Sequence, residues 1–137
     1  MTVTRLPRSD APPRWAAELI RRVCAEHRRR APAVRWRRRS QPWTSGAVYY
    51  DGTGIGIVAG TDVQQLRLVL LHELAHYLVG PTHQHDERFW RRCWELYRRH
   101  GVDLGYAWSA ETAYRKGAAR YAPESVRQRF GSLPRAS

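Results

Sequence analysis

His72-Glu73-Leu74-Ala75-His76 sets two imidazoles four residues apart, with a carboxylate beside the first. On an α-helix such residues lie one turn apart on the same face, so both rings can reach one ion. Zinc accepts imidazole nitrogen at about 2.0–2.1 Å, and neighbouring turns span that without strain. Glu73 projects from nearly the same side, where it can hold a water and serve as general base. The bland alternative buries two histidines and a glutamate in an apolar helix with no shared partner, which is costly. The spacing therefore predicts one Zn2+ ion, with His72 and His76 as ligands and Glu73 as the catalytic residue.

A catalytic zinc needs a third protein ligand and one position left open. Three candidates follow along the chain. His83 and His85 lie just past Gly80-Pro81, where the chain reverses and either could fold back over the helix. Glu111 offers a carboxylate from a later helix. His85 stands directly before a helix that Asp86 can cap, which is a rigid mount. His83 sits in the loop proper. His27 and His100 read as surface residues near helix ends, and His100 in a last turn suits the helix dipole.

The elements that must position these groups are legible in the pattern. Trp15, Leu19 and Val23 with Ala16, Ile20 and Cys24 make a stripe of period near 3.6, a helix from Pro12 to about Arg30 that Ala31-Pro32 ends. Three short strands follow, over 33–39, 47–50 and 55–58, the last two joined as a hairpin. Gly56, between two isoleucines, marks a close approach of another backbone. Thr61-Asp62-Val63-Gln64 reads as a capping box. It opens a helix to Val79 that is apolar nearly all round and so belongs at the centre of the fold. Asp86 caps a helix over 86–100, Ser109 starts another to about Tyr121, and Pro123 begins a short last one. The expected class is α+β: an N-terminal helix, a three-stranded mostly antiparallel sheet, the central motif-bearing helix and supporting C-terminal helices. Residues 12–130 read as one domain, between a loose start over 1–11 and a frayed tail over 131–137.

Composition narrows the function classes. The chain has 137 residues, 24 Lys and Arg against 12 Asp and Glu, and only two cysteines. No apolar run approaches a membrane span, and the N-terminus lacks the apolar stretch of a secretory signal. Cys24 and Cys93 suit buried free thiols in a reducing cytoplasm. The positive charge is uneven. Residues 1–47 hold 12 arginines against three acids, whereas residues 48–79 hold Arg67 against Asp51, Asp62 and Glu73. If 33–39 is a strand, Arg35, Arg37 and Arg39 share one face beside Arg28, Arg29 and Arg30. With Trp36 and Trp43 near for base stacking, that face could bind DNA or another nucleic acid. The competing expectation is a solvated face with Trp36 in the core. A monomer is the expected state.

The stretch GIGIVAGTDVQQLRLVLLHELAHYLVGPTHQHDERFW resembles the SprT-like and WLM groups of small zincin metallopeptidases. The likeness lies in the strand ending at Ala59, the L-x-x-x-L-L-H-E-L-A-H helix and the H-D-x-x-F-W run from His85 to Trp90. It covers roughly residues 12–100 and implies a minimal zincin core, with His85 as the third zinc ligand. No Met-turn and no zinc ribbon accompany it. The resemblance implies a zinc metallopeptidase in which Glu73 takes a proton from the attacking water and returns it to the leaving amine. Tyr106, Tyr114 and Arg115 are candidates to cover the cleft and assist the oxyanion. Zincin clefts align substrate along a sheet edge, and Gly54–Ala59 is the natural edge strand, which predicts an extended or unfolded polypeptide substrate. The alternative function is a non-catalytic, zinc-containing nucleic-acid-binding module.

Overall fold

The apolar stripe of the N-terminal segment makes Arg14–Glu26 a helix, α1, in the computed structural model, which describes residues 11–38, 45–49, 54–59 and 62–131. The expected loose start and frayed tail lie almost wholly outside these residues, as do Arg39 and Trp43. Ala16, Leu19, Ile20, Val23 and Cys24 are the buried face of α1. The helix stops at Glu26, ahead of the expected proline stop. The amide of Arg29 donates to the Cys24 carbonyl at 2.8 Å and that of Arg28 to Ala25 at 3.2 Å, the paired bonds of a Schellman turn. Arg28 supplies the left-handed conformation the turn needs, at φ 53°.

The chain forms two compact units, Met1–Glu73 and Leu74–Ser137, and the division falls inside one uninterrupted helix, α2, over Val63–Val79. In the first unit, strands β1 (Ala33–Arg38), β2 (Ser45–Tyr49) and β3 (Gly54–Ala59) form a sheet in the order β1-β3-β2. β2 and β3 pair antiparallel, with Tyr49 opposite Gly54. β1 pairs with β3 in parallel, from Ala33 opposite Gly54 to Arg38 opposite Ala59. The sheet is therefore mixed, not mostly antiparallel. A second correction follows from the order. β3 is bonded on both sides and is not an edge strand open to substrate. Periodicity reports which residues face the core; it does not report which edge a distant strand takes. Gly54 shows how closely β1 comes: a Cβ there would lie 2.7 Å from the Ala33 carbonyl oxygen. The close approach expected at Gly56 is thus documented two residues earlier, and the neighbour is β1.

Trp36, Ile55 and Ile57 are buried in this unit's core. Trp15 meets Trp36 edge-on at 6.0 Å, and the Arg67 guanidinium lies 5.8 Å over the Trp15 ring. Asp62 caps α2, its Oδ1 accepting from the Gln64 and Gln65 amides at 3.0 and 3.3 Å. Thr61 lies outside the described residues. Leu66, Leu68, Leu70, Leu71 and Leu74 along α2 are all buried, as a helix apolar on every side requires.

In the second unit α2 ends at Gly80, whose φ of 87° closes the helix. Asp86 Oδ1 accepts from the Phe89 amide at 3.0 Å and starts α3, Glu87–Arg99. Phe89, Trp90, Cys93, Trp94, Leu96 and Tyr97 form its buried face. The expected helix over 109–121 is two shorter ones. Asp103 caps α4 (Leu104–Thr112) by accepting from the Tyr106 amide at 2.8 Å, and α5 (Lys116–Arg120) follows a short break. Asp103 offers a stronger start than Ser109 because its carboxylate reaches an otherwise unbonded amide. α6 spans Glu124–Phe130 after Pro123. The Trp94 indole donates to the Ala118 carbonyl at 3.0 Å, tying α5 to α3. Mixed helix and strand, mostly helical, places the chain in the α+β class. Among the described residues no helix is long and apolar enough to cross a membrane.

Candidate metal centre

Three of the four groups expected at the centre stand on α2, and helical geometry alone sets His72 and His76 one turn apart. His72, Glu73 and His76 are buried at 6%, 7% and 7% exposure. Polar groups this far from water need partners. One ligand-capable atom from each of His72, His76 and His85 lies within 4.8 Å of the others. The tightest pair is His76 Nε2 and His85 Nε2, 3.1 Å apart. Two nitrogens at zinc-bond lengths of about 2.0–2.1 Å and 3.1 Å apart subtend about 100° at the ion, close to a tetrahedral angle. The donor set, three imidazoles, is one that suits zinc, copper, iron and nickel ions. These residues therefore fit a divalent ion in number and type, and the His76–His85 pair fits one in spacing.

His85 reaches the group from the turn before α3. Its backbone is left-handed, at φ 53°. Its ring is edge-on to Phe89 at 4.9 Å and lies near-parallel to Trp90 at 5.8 Å. Phe89 in turn stacks on His76 at 4.1 Å and an interplanar angle of 24°. One fully buried phenyl ring thus touches two of the three candidate ligands.

His83 is committed elsewhere. Its Nδ1 lies 2.8 Å from Asp86 Oδ2, so one carboxylate both caps α3 and holds this imidazole. The Asp86 carboxyl is held below the usual carboxylate range, first by the Phe89 amide and then by His83. Of the two loop histidines weighed from sequence, His85 is in the three-imidazole group and His83 is not.

Glu111 is not in that group either. It joins His72 and Cys93 in a second group whose ligand-capable atoms also lie within 4.8 Å. Its carboxylate is buried at 3% exposure. Glu111 Oε2 accepts from the Tyr97 hydroxyl at 2.7 Å and from the Cys93 thiol at 3.9 Å, and Arg115 approaches its other oxygen at 3.9 Å. Burial, then the neighbouring Cys93 and Glu111, push the Tyr97 phenol well above its ordinary value, so it stays protonated and donates. A carboxylate beside a ligand-bearing histidine suits holding that ring in one orientation. From sequence Cys93 reads only as a buried thiol. Its i, i+4 relation to Tyr97 on α3 was the available signal.

The other expected residues divide. Arg28, Arg29, Arg30 and Arg35 are exposed. Arg37 belongs to β1 by its backbone, and Arg39 is outside the described residues. Trp36 is 2% exposed and packs on Trp15, so it is a core residue and not a stacking platform for bases. Tyr114 is 86% exposed and covers nothing, while Arg115 turns toward Glu111. His27 and His100 are the C-cap residues of α1 and α3 and belong to neither group. Compared with protein families, with curated proteins and with solved structures, the chain matches none.

Proposed function

We propose that this chain is a zinc-dependent metalloendopeptidase of the SprT-like or WLM zincin kind. The observation that carries the proposal is the grouping of His72, His76 and His85, with Glu73 next to the first of them on the same buried helix. The element order of helix, three strands, motif helix and supporting helix fits a minimal zincin core. When bound, zinc supplies Lewis acidity, polarising a carbonyl and acidifying water toward a pKa of about 7. Glu73 takes the proton released as water attacks the peptide carbonyl and delivers it to the departing amine. A site that was only structural would have no use for that carboxylate and would favour four protein ligands.

The substrate we assign is extended or unfolded protein. With β3 in the middle of the sheet, a substrate strand would add to β1 or β2. The exposed Arg28, Arg29, Arg30 and Arg35 favour nucleic acid as a second partner, bound through its phosphates, which would bring the enzyme to DNA-bound protein. The same four residues support the other reading, a non-catalytic zinc-containing nucleic-acid-binding module. One paired assay separates the two. Glu73→Gln is expected to keep zinc and lose cleavage of an unfolded protein. Equal, null activity of wild type and variant, with and without DNA, contradicts the enzyme.

A further inference from the structure

A left-handed histidine has to be held in place, because the conformation is one that residues with a Cβ rarely adopt. His85 is such a residue, at φ 53°. Its ring meets three others, those of His76, Phe89 and Trp90. Behind Trp90 stands α5. A Cβ built on Gly117 would lie 2.7 Å from Trp90 Nε1, 3.0 Å from Trp90 Cδ1 and 3.2 Å from the His85 carbonyl oxygen. The first of these is closer than real Cβ atoms come, and the indole it meets is fully buried, with no flexible end to swing aside. The Trp94 indole bonds the neighbouring Ala118 carbonyl, so α5 is not free to back away. Gly117 is not in a positive-φ conformation that would by itself call for glycine. The position needs glycine for the space.

We propose that Gly117 is a positioning residue for the third ligand: its missing side chain lets α5 press against Trp90 and the His85 peptide, fixing the turn from which His85 meets His76. The inference rests on the zinc reading above. It makes a compensation test possible. Gly117→Ala overfills the contact and displaces the turn. Trp90→Phe, with Gly117 kept, leaves the contact slack. The two together restore the fill, a methyl on α5 replacing part of the lost indole.

The full chain is stripped of metal and titrated with zinc against a chromophoric chelator, and the visible bands of Co2+ report coordination. Gly117→Ala is expected to weaken zinc about 10–100-fold, the range for residues that orient metal ligands, and to alter the visible bands of the Co2+-loaded protein. Trp90→Phe is expected to weaken zinc several-fold, and the double variant to recover most of the loss. Simple destabilisation can give that recovery, but it does not predict a change in the Co2+ bands of folded, metal-bound protein. Wild-type affinity and bands in Gly117→Ala overturn the proposal. If that variant does not fold, unchanged zinc binding by Trp90→Phe overturns it. Failure of the wild type itself to bind zinc removes the metallopeptidase reading and this inference together, whereas zinc-binding wild type with unaffected variants removes the inference alone.

Discussion

Phe89 is the residue whose replacement probes the centre without touching a ligand. It is fully buried, stacks on His76 at 4.1 Å and meets His85 edge-on at 4.9 Å. Phe89→Ala opens a cavity and costs about 3–5 kcal/mol, a large share of the stability of a small domain. Phe89→Leu is the sharper change. It keeps most of the volume and removes three ring contacts, those to His76 and His85 and an edge-on one to Trp90 at 4.9 Å, each worth about 0.5–1.5 kcal/mol. Metal-free Phe89→Leu is therefore expected to be less stable by about 1.5–4.5 kcal/mol in urea denaturation. The rings it releases must be ordered again when zinc binds. If half of the energy of the His76 and His85 contacts, about 0.5–1.5 kcal/mol, had served to preorganise the ligands, affinity falls by about 2- to 12-fold, since 1.4 kcal/mol is a factor of ten. Competition titration reads that change. A Phe89→Leu protein that is destabilised as expected yet binds zinc as tightly as wild type refutes the idea that Phe89 preorganises His76 and His85.

Tyr97→Phe removes the 2.7 Å donor from a buried carboxylate and is expected to cost about 1.5–3 kcal/mol at pH 7, the value for a bond to a charged group. Because the Tyr97 phenol is raised in the folded state, its stabilisation is full below the unfolded value near pH 10 and fades as pH rises from there. Denaturation curves should show the gap between wild type and Tyr97→Phe narrowing above pH 10; a widening gap contradicts the assignment. Asp86→Ala removes the cap of α3 and is expected to cost about 1 kcal/mol at neutral pH. The Asp86 carboxyl is lowered in the folded state, so that contribution is present above about pH 4 and disappears as pH falls through the lowered value, which urea midpoints at pH 7 and pH 2 would register. His83→Ala should leave zinc bound, whereas His85→Ala should release it; the reverse pattern overturns the ligand assignment.

Local signals carried well and long-range ones did not. The 3.6-residue stripes of α1 and α3 were plain because each helix buries one face, and α2 was plain as a helix apolar nearly all round. The Asp86 cap was visible as an acid ahead of an apolar-periodic run, and it explains why His85 has a firm mount while His83 is drawn to the cap. The H-E-x-x-H spacing needs only a helix to become geometry, so His72, Glu73 and His76 were legible before any tertiary contact was known. The parallel β1–β3 pair was not legible, because nothing in the alternation of Val34 and Trp36 says which distant strand they lie beside. That one pairing moved β3 from edge to centre. Trp36 was ambiguous for a related reason: an aromatic residue between arginines fits a base-stacking face and a core-facing strand position equally well until its partner, Trp15, is placed. The end of α1 and the Ser109 start failed where a left-handed Arg28 and a second acidic cap at Asp103 overrode the commoner signals. Gly117 was silent in the sequence, since its reason is the Trp90 indole 27 positions earlier in the chain.

Crystals of the zinc-loaded protein, measured on both sides of the zinc absorption edge, test the central claim most directly. One anomalous peak is predicted, with a nitrogen of His72, His76 and His85 each at about 2.0–2.1 Å from it and Glu73 outside the ligand set. No peak beside α2, or an ion held through His83 while the His85 ring points elsewhere, would contradict it.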